Sequence, residues 1–189
     1  ATGLDAVAWA LTNTVTARSR DKDGPFSYHE MLRFKLFQVY DINEAKRDTT
    51  WPEQKRRPFS DVGIELDFRP HPYVWLAARN SYNPYTGWKE MNYDLGLRDW
   101  RGDTLTFGYR YTQDSVEAIS MDLKAVITER LSGRVALRLD RLHHHNIEST
   151  VGFMYNHQCW GLGADYTKTY DDQRIMIKVS LAGLGMLQI

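Results

Sequence analysis

The best candidates for metal ligation in this sequence are three consecutive histidines, His143, His144 and His145. Imidazole is a common ligand of zinc, but the ligands of one ion must converge on a single point. Three neighbouring residues in a turn do not easily converge, and no spaced cysteine or carboxylate pattern supports them. We therefore interpret the triplet as the solvated tip of a hairpin and predict neither a metal nor another cofactor.

No arrangement typical of a catalytic site is visible either. No glycine-rich phosphate loop follows a strand and opens a helix, and there is no serine elbow or Cys/His constellation. The carboxylates are scattered, which is typical of a wetted surface rather than of an acid–base pair. The sequence therefore predicts that the protein is not an enzyme.

Cys159 is the only cysteine, so it cannot form a disulfide within the chain. The residue count leaves two interpretations open. Cys159 is either a free structural thiol or one half of a bridge to something outside this chain, because an odd cysteine in an exported protein indicates an external partner.

The charge balance argues against nucleic acid as a partner. The 24 basic residues equal the 24 acidic ones in number, so the chain lacks the positive excess of a nucleic-acid-binding protein. A net charge of zero is also unfavourable for a freely soluble protein. A membrane or an assembly tolerates it better.

Hydropathy excludes a helical membrane protein but leaves a β-barrel possible. The mean hydropathy is −0.53, and no segment approaches the roughly 18 consecutive apolar residues that a spanning helix needs. Barrel strands alternate apolar and polar residues, so their average is hydrophilic. The chain begins at Ala1 with neither an initiator methionine nor a signal peptide, from which we expect a mature product or a fragment.

Alternation with a period of two dominates the sequence. It is clearest in residues 61–69, where Val62, Ile64 and Leu66 share one face of a strand and Glu65 and Asp67 lie on the other. The pattern recurs in ten further segments: 7–16, 32–36, 74–79, 91–98, 105–112, 119–128, 134–140, 150–156, 162–167 and 174–181. Tight turn signals separate most of them, and only 19–27 and 43–59 are longer. The sequence therefore predicts an all-β, antiparallel up-and-down meander of about eleven strands.

The two faces of these strands differ sharply in charge. The cations that we expect to face the interior of a barrel are Arg79, Arg98, Arg110, Lys124, Arg138 and Lys178. Such residues suit bulk water or the wet lumen of a wide barrel, but they cannot fill a small dry core. Aromatic residues also concentrate near strand ends, as in membrane barrels. These features favour a transmembrane barrel over a soluble β-sandwich binding module. They leave a small porin-like channel open as an alternative, because such a channel uses the same alternation.

Several segments, in their order and spacing, resemble the LptD (OstA) family of lipopolysaccharide-assembly outer-membrane proteins. The strand from Ser149 to Tyr155 leads into Asn156-His157-Gln158-Cys159-Trp160-Gly161, where that family has a turn with one or two cysteines followed by an aromatic residue. The pattern Leu181-Ala182-Gly183-Leu184-Gly185 is similar to the end of the family's final strand. The other matching segments are Gln38-Val39-Tyr40-Asp41-Ile42, Arg57-Pro58-Phe59-Ser60-Asp61 and Arg101-Gly102-Asp103, so the resemblance covers roughly residues 30–185.

The resemblance implies that residues 1–189 are the C-terminal portion of a large outer-membrane β-barrel in a Gram-negative bacterium. The N-terminal periplasmic domain and the first barrel strands would then lie outside this chain. The implied function is transport of lipopolysaccharide to the outer leaflet through a lateral gate in the barrel, surrounded by outer-membrane lipid. The implied partners are an LptE-like lipoprotein plug in the lumen and, through the N-terminal domain, a periplasmic lipopolysaccharide-bridge protein.

The resemblance also assigns roles to two parts of the sequence. Cysteines of this turn form disulfides with the N-terminal domain in the family, a role that would fall here on Cys159 alone because Trp160 follows it. One side of the lateral gate would be the predicted last strand, which carries Ile175, Ile177, Val179 and Leu181.

Overall fold

Strands make up nearly all of the structure, a computed structural model that describes residues 5–20, 24–49, 55–181 and, for the backbone alone, 185–188. The described part of the chain forms twelve strands and one short helix. They are β1 (Ala6–Arg20), β2 (Phe26–Asp41), α1 (Ile42–Lys46), β3 (Val62–His71), β4 (Val74–Asn83), β5 (Gly87–Arg98), β6 (Thr104–Thr112), β7 (Val116–Val126), β8 (Leu131–Asp140), β9 (His145–Asn156), β10 (Trp160–Thr169), β11 (Gln173–Leu181) and β12 (Gly185–Gln188).

These strands pair in chain order into one antiparallel sheet, from β1 at one edge to β12 at the other. All eleven predicted strands are present, and the prediction of an antiparallel meander is confirmed. The twelfth strand, β12, was not predicted. It pairs with the end of β11 from Lys178 to Leu181, so the segment with Ile175 is not the last strand. Among the described residues β1 and β12 are not paired, so the sheet is not closed.

The chain divides into two compact units. Unit 1 comprises Ala1–His71, Trp75–Tyr93 and Tyr111–Asp114, and unit 2 comprises Pro72–Val74, Asp94–Arg110 and Ser115–Ile189. In the described part of the chain, no helix has both the length and the apolar character needed to cross a membrane.

The hairpin of β1 and β2 in unit 1 extends further than its hydrophobic pattern. The sequence predicts a long connection over residues 19–27, but the two strands stay paired as far as Arg20 and Phe26. Polar contacts across the strands replace hydrophobic alternation there: the hydroxyls of Ser19 and Ser27 lie 2.7 Å apart. The guanidinium of Arg18 also lies 4.1 Å from the centre of the Phe26 ring. The connection is therefore shorter than predicted and spans residues 21–25.

The long connection between β2 and β3 folds back on the end of β2. It begins with α1, which is capped by the Asp41 carboxylate that accepts a hydrogen bond from the Glu44 amide at 2.9 Å. Its return leg runs beside β2, where the Ser60 amide donates to the Val39 carbonyl at 2.9 Å. The Tyr85 hydroxyl, in the turn after β4, accepts from the Phe59 amide at 3.0 Å. This connection therefore has a fixed path on both sides of residues 50–54, which lie outside the description.

In unit 2, three successive short turns are joined at one end of the strands. Asp99 organises the first turn, since its carboxylate accepts from the amides of Arg101 and Asp103 at 2.8 and 2.9 Å. Arg101 then donates to the Val126 carbonyl, at the end of β7, at 2.6 Å. The next turn is connected in the same way, because the Asn156 amide donates to the Arg130 carbonyl at 2.7 Å. These hydrogen bonds fix the strand ends near the turn that carries Cys159.

Glycines on the charged face make room for large side chains from the neighbouring strand. Gly63 of β3 lies opposite Phe37 of β2, and the Phe37 ring covers it so closely that a Cβ built on Gly63 would be 2.1 Å from the ring. An aromatic ring that covers a cross-strand glycine compensates for its missing side chain and helps to fix the register. The Lys35 ammonium lies 4.7 Å from the centre of the same ring.

We expect Gly63→Ala to destabilise the protein by about 1–3 kcal/mol, because the added methyl group must displace the Phe37 ring. The measurement is the free energy of unfolding in urea of the full-length protein. Gly133→Ala is the control, since its Cβ would meet no atom closer than 3.4 Å. Adding Phe37→Ala should remove most of the difference that Gly63→Ala makes. Equal costs for Gly63→Ala with and without Phe37 would show that the ring does not occupy this space.

Candidate functional site

The apolar face of the sheet is exposed rather than packed into a core. Among the residues whose side chains the structure describes, Ala78 is the only buried hydrophobic one. By contrast, Ile175 is 72% exposed, Val151 57% and Phe153 54%. The other large apolar side chains that the alternation assigned to this face and that are exposed include Val7, Trp9, Leu11, Val15, Leu97, Phe107, Leu123, Ile127, Leu139, Leu162, Ile177 and Leu181.

This exposure has an energetic consequence. Apolar surface in water costs about 25 cal/mol per Å² relative to an apolar environment, and soluble monomers rarely expose large continuous apolar patches. A face built from so many strands therefore requires an apolar medium or an apolar partner to cover it.

Exposed aromatic residues lie mainly at or near the strand ends, as predicted. Trp100, in the turn after β5, is 81% exposed, and Tyr170, in the turn after β10, is 74% exposed. Tyr28 lies near the start of β2 and is 66% exposed. Side chains with an apolar ring and a polar tip suit the boundary between hydrocarbon and water.

The opposite face carries ion pairs between strands, and most of them join adjacent strands. In unit 1, Asp61 lies just before β3, and its carboxylate is 3.1 Å from the Lys89 ammonium. It also accepts a hydrogen bond from the Asn83 side chain at 2.5 Å. The other pairs of this unit are Lys35 with Glu65 at 4.0 Å and Arg79 with Asp67 at 3.8 Å.

Unit 2 repeats the arrangement on its own strands. Arg134 of β8 donates from both Nε and an Nη atom to one carboxylate oxygen of Asp122 on β7, at 2.9 and 2.5 Å. The ammonium of Lys178 on β11 pairs with Asp165 on β10, and these are the least exposed partners, at 21% and 15%. The remaining pairs are Arg110 with Asp94 at 2.6 Å and Arg138 with Glu148 at 3.6 Å.

Most of these pairs contribute little to stability individually. Their side chains are mostly between a third and two thirds exposed, and such pairs are worth about 0–1 kcal/mol each. Together they leave a hydrated face on which most charges are balanced by the neighbouring strand.

One cleft of unit 2 departs from this balance. Lys124 on β7 lies directly opposite Arg134 on β8, and both line a cleft of about 330 Å³ together with Lys178 and Asp165. Arg134 and Lys178 have carboxylate partners, but within the described residues Lys124 has no ion pair. The cleft therefore carries a local excess of positive charge and suits an anionic group.

The six cations expected to share one face fall into two groups. Four of them form the cross-strand ion pairs described above: Arg79, Arg110, Arg138 and Lys178. Lys124 lines the positive cleft. Arg98 is exposed at the end of β5, and within the described part of the chain its side chain forms no ion pair. The lumen-facing position of these six side chains stays a prediction.

Cys159 lies in the exposed turn between β9 and β10, with a free thiol. The turn is closed by a hydrogen bond from the His157 amide to the Trp160 carbonyl at 2.7 Å. The His157 and Trp160 rings stack with their centres 5.6 Å apart. The thiol is thus accessible on a well-defined turn, and its predicted bridge remains a prediction.

The predicted gate strand corresponds to β11, where Ile175 and Ile177 are exposed. It forms nine residue pairs with β10 but four with β12, and these four cover only Lys178 to Leu181. Among the described residues, the other edge of Gln173–Ile177 has no strand partner. Residues 182–184 of the Leu-x-Gly-Leu-Gly pattern lie outside the described residues.

His143 and His144 lie in the predicted hairpin turn between β8 and β9, and His145 is the first residue of β9. His143 and His145 approach Asp140 there, whereas His144 does not belong to the cluster. The linear pattern of the triplet does not reveal Asp140, because its approach to the histidines depends on the register of two strands. The signal that could have found it is the position of an aspartate as the last residue before the turn.

One comparison with known proteins identifies a family. The model of the family described as "LptD: LPS transport system D" matches residues 3–143, which is about three quarters of the chain. No curated protein matches the chain.

Asp61 provides a pH-dependent prediction. Burial alone would raise its pKa, but the hydrogen bonds from Asn83 and Lys89 outweigh this and hold the pKa of Asp61 below the ordinary value of 3.8. A carboxylate whose pKa is lower in the folded state stabilises that state above pH 3.8, and the stabilisation is lost as the pH falls through the lower value. We expect Asp61→Asn to lower the urea midpoint at pH 7, and the difference from the wild type to shrink below the folded-state pKa.

The control for this prediction is Asp48→Asn, in the same connection between β2 and β3. Asp48 is exposed and has no ion pair or hydrogen bond among the described residues, so its replacement should leave the midpoint unchanged at both pH values. A difference between Asp61→Asn and the wild type that does not depend on pH would contradict the role of the carboxylate charge.

Proposed function

This chain belongs to the LptD family, and from that premise we propose that its sheet is part of the wall of an outer-membrane β-barrel that delivers lipopolysaccharide to the outer leaflet. A role in lipopolysaccharide transport follows from the family. In the finer proposal, the apolar face contacts membrane lipid and the ion-paired face lines the aqueous lumen. Residues 1–189 are then the C-terminal portion of that barrel domain.

The observation that carries the proposal is the exposed apolar face of a sheet with almost no buried core. A β-sandwich packs the inner faces of two sheets against each other, so half of its side chains are buried. Among the described residues, Ala78 is the only hydrophobic residue that is buried. This supports hydrocarbon as the medium that covers the apolar face, and it disfavours a soluble binding module.

The ion-paired face supports a wide, water-filled lumen. Interiors of large barrels are polar, whereas the charges seen here would be very costly in a dry interior. Lipopolysaccharide carries anionic groups on its lipid A and core, and the cleft of Lys124, Arg134 and Lys178 offers the complementary charge. A small diffusion porin would share both faces, but the family match favours lipopolysaccharide as the transported molecule.

The length of the connections supports one orientation. Outer-membrane barrels keep short turns in the periplasm and longer loops outside the cell. The longest connection joins β2 and β3, so we place it outside the cell. Counted by strand reversals along the chain, the turn with Cys159 then falls in the periplasm. There Cys159 can form the proposed disulfide with the N-terminal domain.

Three further features belong to the same proposal. An LptE-like lipoprotein would occupy the lumen against the ion-paired face, and a periplasmic bridge protein would deliver lipopolysaccharide through the N-terminal domain. The lateral gate would lie at the edge formed by β11 and β12.

We expect Phe107→Arg to destabilise the barrel in lipid vesicles by about 2–4 kcal/mol, because an arginine on the lipid side near the middle of a strand must enter hydrocarbon. Phe107 lies on the apolar face of β6 and is 40% exposed. The matched control is Thr106→Arg, on the adjacent polar face of the same strand, which should cost little. The measurement is urea unfolding of the full-length protein in vesicles. Equal costs for both variants would refute contact of the apolar face with lipid.

A photo-crosslinking amino acid at Lys124 should capture lipopolysaccharide in living cells, because Lys124 lines the positively charged cleft. The control position is Leu123, the preceding residue of β7, which is 38% exposed on the apolar face. We expect lipopolysaccharide adducts from position 124 and none from position 123, measured by immunoblotting for lipopolysaccharide. Adducts from neither position, in a strain where transport is active, would contradict passage along this face.

A further inference from the structure

The turn between β8 and β9 brings three potential metal ligands together. β8 ends at Asp140 and β9 begins at His145, and these two residues are directly paired across the strands. The turn of residues 141–144 therefore starts and ends at adjacent points. His143 lies inside the turn, three residues after Asp140.

The ligand atoms of these residues are close to one another. His143 Nδ1 lies 2.8 Å from Asp140 Oδ2, and His145 Nε2 lies 3.8 Å from the same oxygen. One ligand atom from each residue lies within 4.8 Å of the others. In a tetrahedral zinc site with bonds of 2.0–2.1 Å, ligand atoms are about 3.3 Å apart. Small side-chain rotations would therefore bring all three to coordination distance.

The local structure holds the ligands in this arrangement. The other carboxylate oxygen of Asp140, Oδ1, accepts a hydrogen bond from the His143 amide at 3.0 Å. The His145 ring contacts the Tyr170 ring of the next turn, with centres 5.3 Å apart. His144 has a φ of 54°, a left-handed conformation that reverses the chain between His143 and His145. The two flanking histidines thus share one side of the turn, and His144 is excluded from the cluster.

We propose that this turn binds a divalent transition-metal ion, with Zn²⁺ as the representative, through His143 Nδ1, His145 Nε2 and the carboxylate of Asp140. Two imidazoles and one carboxylate form a donor set that suits zinc, nickel or copper, whereas calcium and magnesium prefer oxygen ligands alone. The ion would connect the end of β8 to the start of β9.

The chemistry of such a site follows from its ligand count and exposure. Three protein ligands leave a coordination position for water or for an oxygen of another molecule. The His143 side chain is 63% exposed, so this position is accessible from outside the turn. The proposed site is therefore a metal site on the protein surface that can bind an additional ligand. The proposal does not depend on the proposed transport function.

The test is a zinc titration of the full-length, untagged protein in detergent, after removal of metals with a chelator. We expect the wild type and His144→Ala to bind zinc equally. His143→Ala and Asp140→Asn should each weaken the affinity for one zinc ion by about tenfold or more. Loss of a direct ligand costs at least as much affinity as loss of a residue that only hydrogen-bonds to a ligand. His144→Ala is the matched control, since it removes an adjacent imidazole that is not in the cluster.

A second measurement keeps the test decisive if Asp140→Asn fails to assemble. X-ray absorption of the zinc-loaded wild type should show two imidazole nitrogens bound to the metal, and His143→Ala should show one fewer. Two outcomes would overturn the proposal: zinc binding that His143→Ala leaves unchanged, or a loss in His144→Ala as large as that in His143→Ala. The second outcome would mean nonspecific attraction to a histidine-rich turn.

Discussion

In a single sheet layer, the backbone N–H and C=O groups of each strand form their hydrogen bonds with the neighbouring strands. The two faces of the strand meet two different environments. In this chain one face presents apolar side chains with almost no buried core behind them, and the other presents paired charges. Because successive side chains alternate, the pairing register alone decides which side chains meet which environment. A slip of one residue would move every charge of a strand to the apolar face. The rest of the structure depends on the register being fixed.

The interactions on the charged face are well suited to fixing the pairing register. Most of the ion pairs join adjacent strands, and a slip would separate their partners as well as turn them to the wrong side. Close packing over glycine acts in the same way: the Asp165 carboxylate, which pairs with Lys178, lies so close to Gly152 that a Cβ there would be 2.1 Å from it. Exposed ion pairs add little free energy. Their value here is specificity, because they distinguish the correct register from its neighbours.

Most of the strands could be predicted from the sequence, but some features of the fold could not. Period-two alternation predicts the eleven main strands and the face of each residue, since a strand in this setting has a different environment on each side. It could not predict the full extent of β1 and β2, where one serine pair and an Arg18–Phe26 contact replace hydrophobic alternation. It also missed α1, which is only five residues long, and β12, which is only four. The approach of Asp140 to His143 and His145 was missed because it arises from cross-strand pairing, which a linear pattern does not contain.

The same constraint applies to the backbone of each strand. Backbone groups left unpaired in lipid cost several kcal/mol each by order of magnitude, so separating two strands costs more with every residue pair that is lost. β10 forms nine residue pairs with β9 and nine with β11, so its backbone is paired on both sides along almost its whole length. Pairing and alternation therefore act together in this strand. A slip of β10 by one residue would break both sets of pairs and would also turn Asp165 to the apolar face.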